Sequence, residues 1–228
     1  MSSKVSLGRR SLDVLIGGLM LLAASPVLLI VAVLVLVTSG RPVLFRQSRV
    51  GENGRLFTIY KFRTMRNVAS GPEVTASTDN RITPLGGFLR RTAIDELPQL
   101  WHVVRGQMTL VGPRPESAAL AARYPVGCRP VLMARPGLTG PAQLRYRERS
   151  AVPPDERTDV EHWYLDVLVP LRVDADQEYL ARPTIRRTLY YILVTGLFVV
   201  GLADLQQPVT QPLVRSPQAS PAPGRSGR

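Results

Sequence analysis

Residues 14–40 form the longest uncharged run in the sequence, twenty-seven residues with Pro26 near the centre. A continuous helix of that length is about 40 Å long, which exceeds the roughly 30 Å hydrocarbon core of a bilayer. The apolar residues continue well beyond the small residues Ala23, Ala24 and Ser25, which argues against a cleaved secretory signal. The run is therefore predicted to be a membrane segment.

Both flanks of this segment are basic, with Lys4, Arg9 and Arg10 before it and Arg41, Arg46 and Arg49 after it. Lys and Arg beside a membrane segment favour the cytoplasmic side, so a straight span puts one flank on the wrong side. Pro26 removes a backbone donor and clashes with the preceding turn, and Ser25 could bond a backbone group freed there. A helix broken at Ser25-Pro26 that re-enters the same face satisfies both flanks. A kinked spanning helix remains the alternative.

Composition limits the remaining possibilities. The 228 residues carry a net charge of +12, and the first 65 hold nine Lys or Arg against Asp13 and Glu52. Nucleic acid, anionic lipid and phosphorylated small molecules all suit such a charge, and the apolar run favours lipid. Cys128 is the only cysteine and there are two histidines, which excludes an internal disulfide framework and a zinc site of several Cys and His. Any metal is expected to be a hard ion with oxygen ligands.

Two strand-like runs surround Gly51-Glu52-Asn53-Gly54 within residues 43–65, which predicts a β-hairpin. Alternation along the second run puts Lys61 and Arg63 on one face, together with Phe57 and Ile59. Two neighbouring cations on one face indicate either an anion site or an edge-strand charge pair that deters aggregation. Residues 67–87 are predicted to be a loop.

A short helix is predicted from about Asp95 to Gly106, with Leu97, Leu100, Trp101 and Val104 as its apolar stripe. Asp95 and Glu96 at its start are the only carboxylates between Asp79 and Glu116, in a strongly basic region. One explanation for these two acids is that they cap the helix and interact with the positive end of its dipole. The other is chemical, because a helix N-terminus attracts phosphate and keeps an Asp ionised by lowering its pKa, so that Asp95 could attack phosphorus.

Arg114 stands between two prolines in VGPRPE, residues 111–116. Prolines fix their own φ and restrict the preceding residue, so the guanidinium projects from a stiff backbone suited to a bidentate phosphate contact. The alternative is a proline-stiffened loop with an incidental arginine.

The second half of the chain supplies three further segments. Residues 155–169 are predicted to form an amphipathic helix with Val160, Trp163, Tyr164, Val167 and Leu168 on one face. Residues 189–203 are apolar but short for a span, and are expected to lie at the membrane or in the core. Residues 206–228 are rich in Pro and Ser without an acid, which is typical of a disordered basic tail.

Three ordered motifs resemble the bacterial sugar transferases, the small monotopic polyprenyl-phosphate phosphoglycosyl transferases. They are FRQSRVGENGRLFTIYKFRTM, RITPLGGFLRRTAIDELPQLWHVVRGQMTLVGPRPE and RPGLTGPAQLRYR, and the resemblance covers roughly residues 9–195. It implies transfer of a sugar 1-phosphate from a nucleotide diphospho-sugar, expected to be a UDP-sugar, to undecaprenyl phosphate, with release of the nucleoside monophosphate. Such a reaction is the first membrane step of surface polysaccharide or glycoconjugate synthesis.

The resemblance also implies residue roles. Asp95 corresponds to the nucleophile of a covalent aspartyl intermediate, and Glu96 supports it or Mg²⁺, so that Asp95 and Glu96 are the expected metal ligands. The expected phosphate contacts are Lys61, Arg90 and Arg114, with Arg63 beside Lys61 on the strand. The family's Ser-Pro helix break matches Ser25-Pro26, which favours re-entry.

The resulting expectation is an α+β protein with three parts. Residues 1–40 form a re-entrant helix–break–helix, residues 41–205 a mainly helical cytosolic catalytic domain with a small hairpin, and residues 206–228 the tail. The catalytic domain is expected on the cytoplasmic face of the bacterial inner membrane, without a nucleic-acid partner. A non-catalytic scaffold of a glycan-assembly complex is the alternative function.

Overall fold

The computed structural model describes residues 5–66, 80–146 and 159–199, and this part of the chain is mostly helical. Its α-helices are α1 Leu7–Ser39, α2 Pro84–Thr92, α3 Leu100–Arg105, α4 Ala118–Ala122, α5 Pro141–Arg145, α6 Val160–Trp163, α7 Val169–Ala181 and α8 Ile185–Val199. Its strands are β1 Leu44–Val50, β2 Leu56–Phe62, β3 Thr109–Val111 and β4 Gly137–Thr139. Short 3₁₀ helices cover Glu52–Gly54, Ile94–Gln99 and Val126–Met133, and a π-helical turn covers Tyr164–Leu168. The predicted mainly helical protein with a small hairpin is confirmed.

Helix α1 is one continuous helix, so the predicted interruption at Ser25-Pro26 is wrong as a break in the helix. Proline lacks the N–H that would bond the carbonyl four residues earlier, which here is that of Leu22. The Ser25 hydroxyl donates to this same carbonyl at 2.7 Å, as predicted for a group freed by the proline. The helix continues because a neighbouring side chain replaces the missing donor.

One face of α1 packs on the rest of the protein and the other is exposed. The buried residues are Arg9, Asp13, Gly17, Val31 and Val35. The exposed large residues include Leu15, Leu19, Leu22, Leu29 and Val37. An 18-residue window of α1 has a mean hydropathy of 3.0 with only 11% of its residues buried, so by length and composition the helix is able to cross a membrane.

Polar contacts hold the N-terminal end of α1. The buried Asp13 carboxylate accepts hydrogen bonds from Thr109 Oγ1 at 2.7 Å and from Leu110 N at 3.0 Å. The Arg10 guanidinium donates to the carbonyls of Val103 and Val104, both at 2.7 Å, at the C-terminal end of α3. This end of the apolar helix is therefore fixed to α3 and β3 by buried or half-buried charges.

The C-terminal end of α1 is held by the other side of the same domain. The guanidinium of Arg63, just after β2, donates to Ser39 O, to Gly40 O at 2.6 Å and to Arg41 O at 3.2 Å. Cations near the last carbonyls of a helix interact favourably with its dipole. Both ends of a helix about 50 Å long thus contact one folded body.

The predicted hairpin is confirmed. Strands β1 and β2 pair antiparallel around the 3₁₀ turn Glu52–Gly54, with Gln47 opposite Ile59 and Arg49 opposite Phe57. A bridge between Arg49 and Ser117 attaches the end of β1 to the loop after β3. Strands β3 and β4 form a separate parallel pair, where the backbones approach so closely that a Cβ on Gly137 would lie 2.1 Å from Gly112 N.

The segment around residue 95 differs from the predicted single α-helix. A 3₁₀ helix, Ile94–Gln99, precedes α3, which ends at Gly106 with φ 83° as predicted. The tighter 3₁₀ turn rotates the following face, so Leu100 and Val103 are buried whereas Trp101 is 45% exposed. Helix α2 begins inside the predicted loop because Thr83 caps it, its hydroxyl accepting from Gly86 N at 3.0 Å. Residues 67–79 of that loop lie outside the described residues.

The C-terminal helices form the second half of the core. Trp163, Tyr164 and Leu168 are buried as predicted for the amphipathic segment, whose residues 155–158 lie outside the described part. Helix α8 starts at Ile185, four residues before the predicted apolar stretch, and exposes Leu189 and Leu193 on its outer face. The predicted tail, residues 206–228, also lies outside the described residues.

Candidate active site

Asp95 and Glu96 lie in the 3₁₀ helix Ile94–Gln99, which follows a sharp reversal at the end of α2. Ala93 makes this reversal with a left-handed backbone, φ 57°, and occupies the cap position of both helices. Asp95 is therefore not an N-cap, and that part of the capping explanation is wrong, although Asp95 and Glu96 both lie in the first turn of the 3₁₀ helix. Successive residues of a 3₁₀ helix point about 120° apart. Asp95 is buried, 5% exposed, while Glu96 is half-buried and faces the neighbouring loop.

Arg114 projects toward Glu96 from the loop between β3 and α4. Its Nη1 lies 3.3 Å from Glu96 Oε1, with 28% and 24% of the two side chains exposed. The residues just before Arg114 are anchored to β4, since Gly112 N donates to Thr139 O at 2.9 Å and Gly137 N donates to Pro113 O at 2.7 Å. The stiff presentation predicted for this arginine therefore has backbone anchors as well as prolines.

Lys61 completes a pocket with these two residues. The pocket is lined by Arg49, Ile59, Lys61, Glu96, Gln99, Arg114 and Pro115. The Lys61 ammonium also lies 5.3 Å from the centre of the Phe45 ring across the hairpin. Three of the predicted site residues, Lys61, Glu96 and Arg114, are thus brought together although 53 positions of sequence separate the first from the last.

Arg90 and Arg63 occupy other positions. Arg90 Nε donates to Thr64 Oγ1 at 2.9 Å, and its Nη2 lies 3.3 Å from Met65 Sδ, at the end of β2. The buried guanidinium of Arg63 holds the end of α1, as described above. Neither side chain lines the pocket around Lys61.

Sequence reasoning missed Arg49 and Glu116. Glu116 is buried, and its Oε2 accepts from the hydroxyls of Tyr164 and Tyr124, the latter at 2.9 Å. Its Oε1 accepts from Ser117 N at 2.9 Å and pairs with Arg49 Nη1 at 3.3 Å. Arg49 lies in the motif FRQSRVG and Glu116 in the motif VGPRPE. Their membership of these motifs was the signal that could have marked them as candidate site residues.

A second cavity lies behind Arg114. Its polar lining comes from Arg114, Glu116, Tyr124, Tyr164, Arg172 and Asp176. Burial, followed by the charge of Glu116, raises the pKa of both tyrosines well above the usual range, so they remain hydroxyl donors. Burial also raises the pKa of Asp176 to about 7, against smaller opposing effects of Ala142 N–H and Arg172.

The donor set at the 3₁₀ helix suits magnesium better than a softer metal. Within residues 5–66, 80–146 and 159–199 there is no group of three or more His, Cys, Asp or Glu able to hold an ion. Mg²⁺ commonly binds through one or two carboxylates together with substrate phosphates and water. Asp95 and Glu96, which are neighbours in sequence, supply the one or two carboxylates of such an arrangement and are too few for an all-protein site.

Several known bacterial proteins are similar to this chain. A chain of Caulobacter vibrioides, "UDP-glucose:undecaprenyl-phosphate glucose-1-phosphate transferase", is 45% identical over 154 residues, which cover 62% of this chain and 55% of the relative. "Undecaprenyl-phosphate galactose phosphotransferase" of Salmonella typhimurium is 36% identical over 174 residues, 69% of this chain and 36% of the relative. "Exopolysaccharide production protein PSS" of Rhizobium leguminosarum is 42% identical over 147 residues, 60% of this chain and 73% of the relative.

The match to the Caulobacter relative thus spans about half of that protein's length. A sequence model described as "Bacterial sugar transferase" matches residues 4–199, which include α1 and every residue of the pocket. The chain belongs to the bacterial sugar transferase family.

Proposed function

We propose that this protein transfers a sugar 1-phosphate from a UDP-sugar to undecaprenyl phosphate and releases UMP. The observation that carries the proposal is the meeting of Lys61, Glu96 and Arg114 in one pocket, whose Glu96 directly follows the buried Asp95 in the 3₁₀ helix. The printed names of the Caulobacter and Salmonella relatives describe sugar-phosphate transfer to undecaprenyl phosphate. The product would begin a surface polysaccharide or another glycoconjugate, in keeping with the name of the Rhizobium relative.

Asp95 is the proposed nucleophile. A carboxylate oxygen attacks the phosphorus that carries the sugar, the bond to the bridging oxygen breaks, and UMP leaves with that oxygen. An oxygen of undecaprenyl phosphate then attacks the aspartyl phosphosugar and frees Asp95, so that each step forms one P–O bond and breaks one. Burial of Asp95 supports this role because it limits competing attack by water on the intermediate.

Arg114 and Lys61 are the proposed contacts to the phosphate oxygens. A carboxylate approaches a negatively charged phosphate only where cations neutralise the oxygens. Asp95 and Glu96 would hold Mg²⁺ together with the substrate phosphates, and a bound Mg²⁺ supplies further neutralisation of their charge. Arg63 is engaged at the end of α1 and Arg90 is bonded to Thr64, and neither lines this pocket, so direct phosphate contact is proposed for Lys61 and Arg114.

Helix α1 is the proposed membrane anchor, inserted from the cytoplasmic face without crossing. A helix that crosses has its ends on opposite sides of the bilayer, yet Asp13 near one end and Ser39 at the other contact the same domain. The exposed leucines would face lipid while the domain stays at the interface. A same-side site of this kind meets a cytoplasmic UDP-sugar and a membrane-held undecaprenyl phosphate without crossing the bilayer.

The test is release of UMP by the full chain in nanodiscs that contain undecaprenyl phosphate, over a panel of UDP-sugars. We expect Asp95→Asn to abolish release while the unfolding temperature stays within a few degrees of wild type, because the amide keeps the shape but not the nucleophilicity. Near-normal release by this variant would contradict the covalent role. Absence of release by the wild type with every sugar would favour the non-catalytic scaffold.

A further inference from the structure

Arg49 lies in the wall of the pocket that contains Lys61, Glu96 and Arg114. Its side chain is only 13% exposed, although it stands at the end of a hairpin strand. Phe45, Gln47 and Arg49 of β1 are paired with Lys61, Ile59 and Phe57 of β2, so Arg49 and Lys61 belong to the same face of the hairpin. That face contributes two cations to the pocket.

The guanidinium of Arg49 is fixed on two sides. Its Nη2 donates to Gln47 Oε1 at 2.7 Å, while Nη1 donates to Pro115 O and to Glu116 Oε1, both at 3.3 Å. The backbone contributes as well, because Val50 N donates to Glu116 O at 2.8 Å. Arg49 and the loop that carries Arg114 are therefore held as one unit.

Glu116 is itself held more firmly than an ordinary ion-pair partner. It is buried and accepts from two tyrosine hydroxyls and one backbone N–H in addition to Arg49. A buried carboxylate that accepts several hydrogen bonds is fixed in place, because moving it would leave several buried donors without a partner. Tyr124, Tyr164 and Ser117 N thus share Glu116 with Arg49, and the carboxylate holds the guanidinium together with Gln47 and the Pro115 carbonyl.

We infer that Arg49 contacts the phosphate oxygens of the UDP-sugar and that Glu116, with its two tyrosines, positions Arg49 for this contact. The inference rests on the proposed function, since it names a further ligand for the same donor. A guanidinium held in a fixed position makes directional charged hydrogen bonds, so this contact gives orientation as well as charge. The diphosphate would then lie between the hairpin cations and Arg114.

The experiment compares Arg49→Ala, Arg49→Lys and a matched control, Arg135→Ala. Arg135 forms a pair with Glu52 on the same hairpin, Nη2 to Oε2 2.7 Å, with 19% and 25% of the side chains exposed, and lines neither cavity. We expect Arg49→Ala to lower kcat/KM for the UDP-sugar roughly 10- to 100-fold, the effect of a charged hydrogen bond, and Arg49→Lys to recover part of it. The kcat/KM of Arg135→Ala should stay within about twofold of wild type, although its unfolding temperature falls by about as much as that of Arg49→Ala.

The role of Glu116 is tested by a double-mutant cycle. If it acts through Arg49, Glu116→Gln lowers kcat/KM roughly tenfold in the wild type and has little further effect in Arg49→Ala. Independent, multiplying losses would show that Glu116 does not position Arg49.

Equilibrium binding of UDP by calorimetry, on the same purified variants, separates this inference from the proposed function. Weaker UDP binding in Arg49→Ala but not in Arg135→Ala supports the phosphate contact even if the wild type releases no UMP. Unchanged UDP binding and turnover in Arg49→Ala, or absence of UDP binding by the wild type, would overturn the inference.

Discussion

Asp176 should make the stability of this protein fall as the pH rises through the acid range. The side chain is 5% exposed in α7, and burial raises its pKa to about 7 from an ordinary value of 3.8. Between these values the folded protein binds a proton that the unfolded chain releases, so the free energy of unfolding decreases with pH and levels off above about pH 7. A difference of about 3 pKa units at 1.36 kcal/mol per unit gives about 4 kcal/mol.

Asp176→Asn removes this titration while keeping an oxygen acceptor for Ala142 N–H, which lies 3.2 Å from Asp176 Oδ1. The difference in free energy of unfolding between the variant and the wild type should shift by about 4 kcal/mol in favour of the variant as the pH rises from about 4 to about 8. This corresponds to roughly 8–16 °C in Tm at 2–4 °C per kcal/mol. Thermal unfolding of the detergent-solubilised chain across this pH range measures it. Asp174→Asn, an exposed position on the same helix, is the control. If the Asp176→Asn and wild-type profiles run parallel, the carboxyl is not held neutral by burial.

Three further predictions concern the metal, the anchor and the topology. Excess chelator should abolish UMP release and added Mg²⁺ restore it, whereas full activity in chelator would exclude a metal requirement. Arg63→Ala should lower the free energy of unfolding by about 2–3 kcal/mol, because its bonds to the carbonyls at the end of α1 are lost. Arg46→Ala, at an exposed position, should lower it by less than about 0.5 kcal/mol. Equal losses would show that Arg63 does not hold the end of α1. In a Cys128→Ser background, a membrane-impermeant thiol reagent should label neither Ser3→Cys nor Ser48→Cys in intact spheroplasts, and both after lysis. Labelling of Ser3→Cys alone before lysis would show that α1 crosses.

The parts of the fold that were predicted from sequence depend on local chemistry. Alternation around Gly51 and Gly54 was sufficient for the hairpin, because its register follows from residues close in sequence. The roles of Arg63 and Glu116 were not predicted, since Arg63 bonds carbonyls 22 to 24 positions away and Glu116 accepts from Tyr164, 48 positions away. Such distant partners leave no periodic pattern in the sequence.

The candidate site was also predicted only in part from the sequence. Motif resemblance named Lys61, Glu96 and Arg114, which do meet in one pocket, but not Arg49 in the same wall. A buried or half-buried arginine and an exposed one look alike in sequence, and only the partners distinguish them. The same holds for Arg63, whose alternation with Lys61 indicated a shared face but not the helix end to which it bonds.

The basic residues just before the apolar part of α1 bind the folded domain. Charge counting interpreted Arg9 and Arg10 as cytoplasmic cations, but Arg9 Nη2 donates to Val111 O at 3.2 Å and Arg10 to the last carbonyls of α3. Withdrawing this end of the helix across a bilayer would break these bonds and leave Asp13 without Thr109 and Leu110 N. A buried charged or polar group that loses its partner costs several kcal/mol. If α1 inserts into a bilayer as proposed, the domain contacts would oppose crossing independently of the charge rule, although α1 is continuous through Pro26.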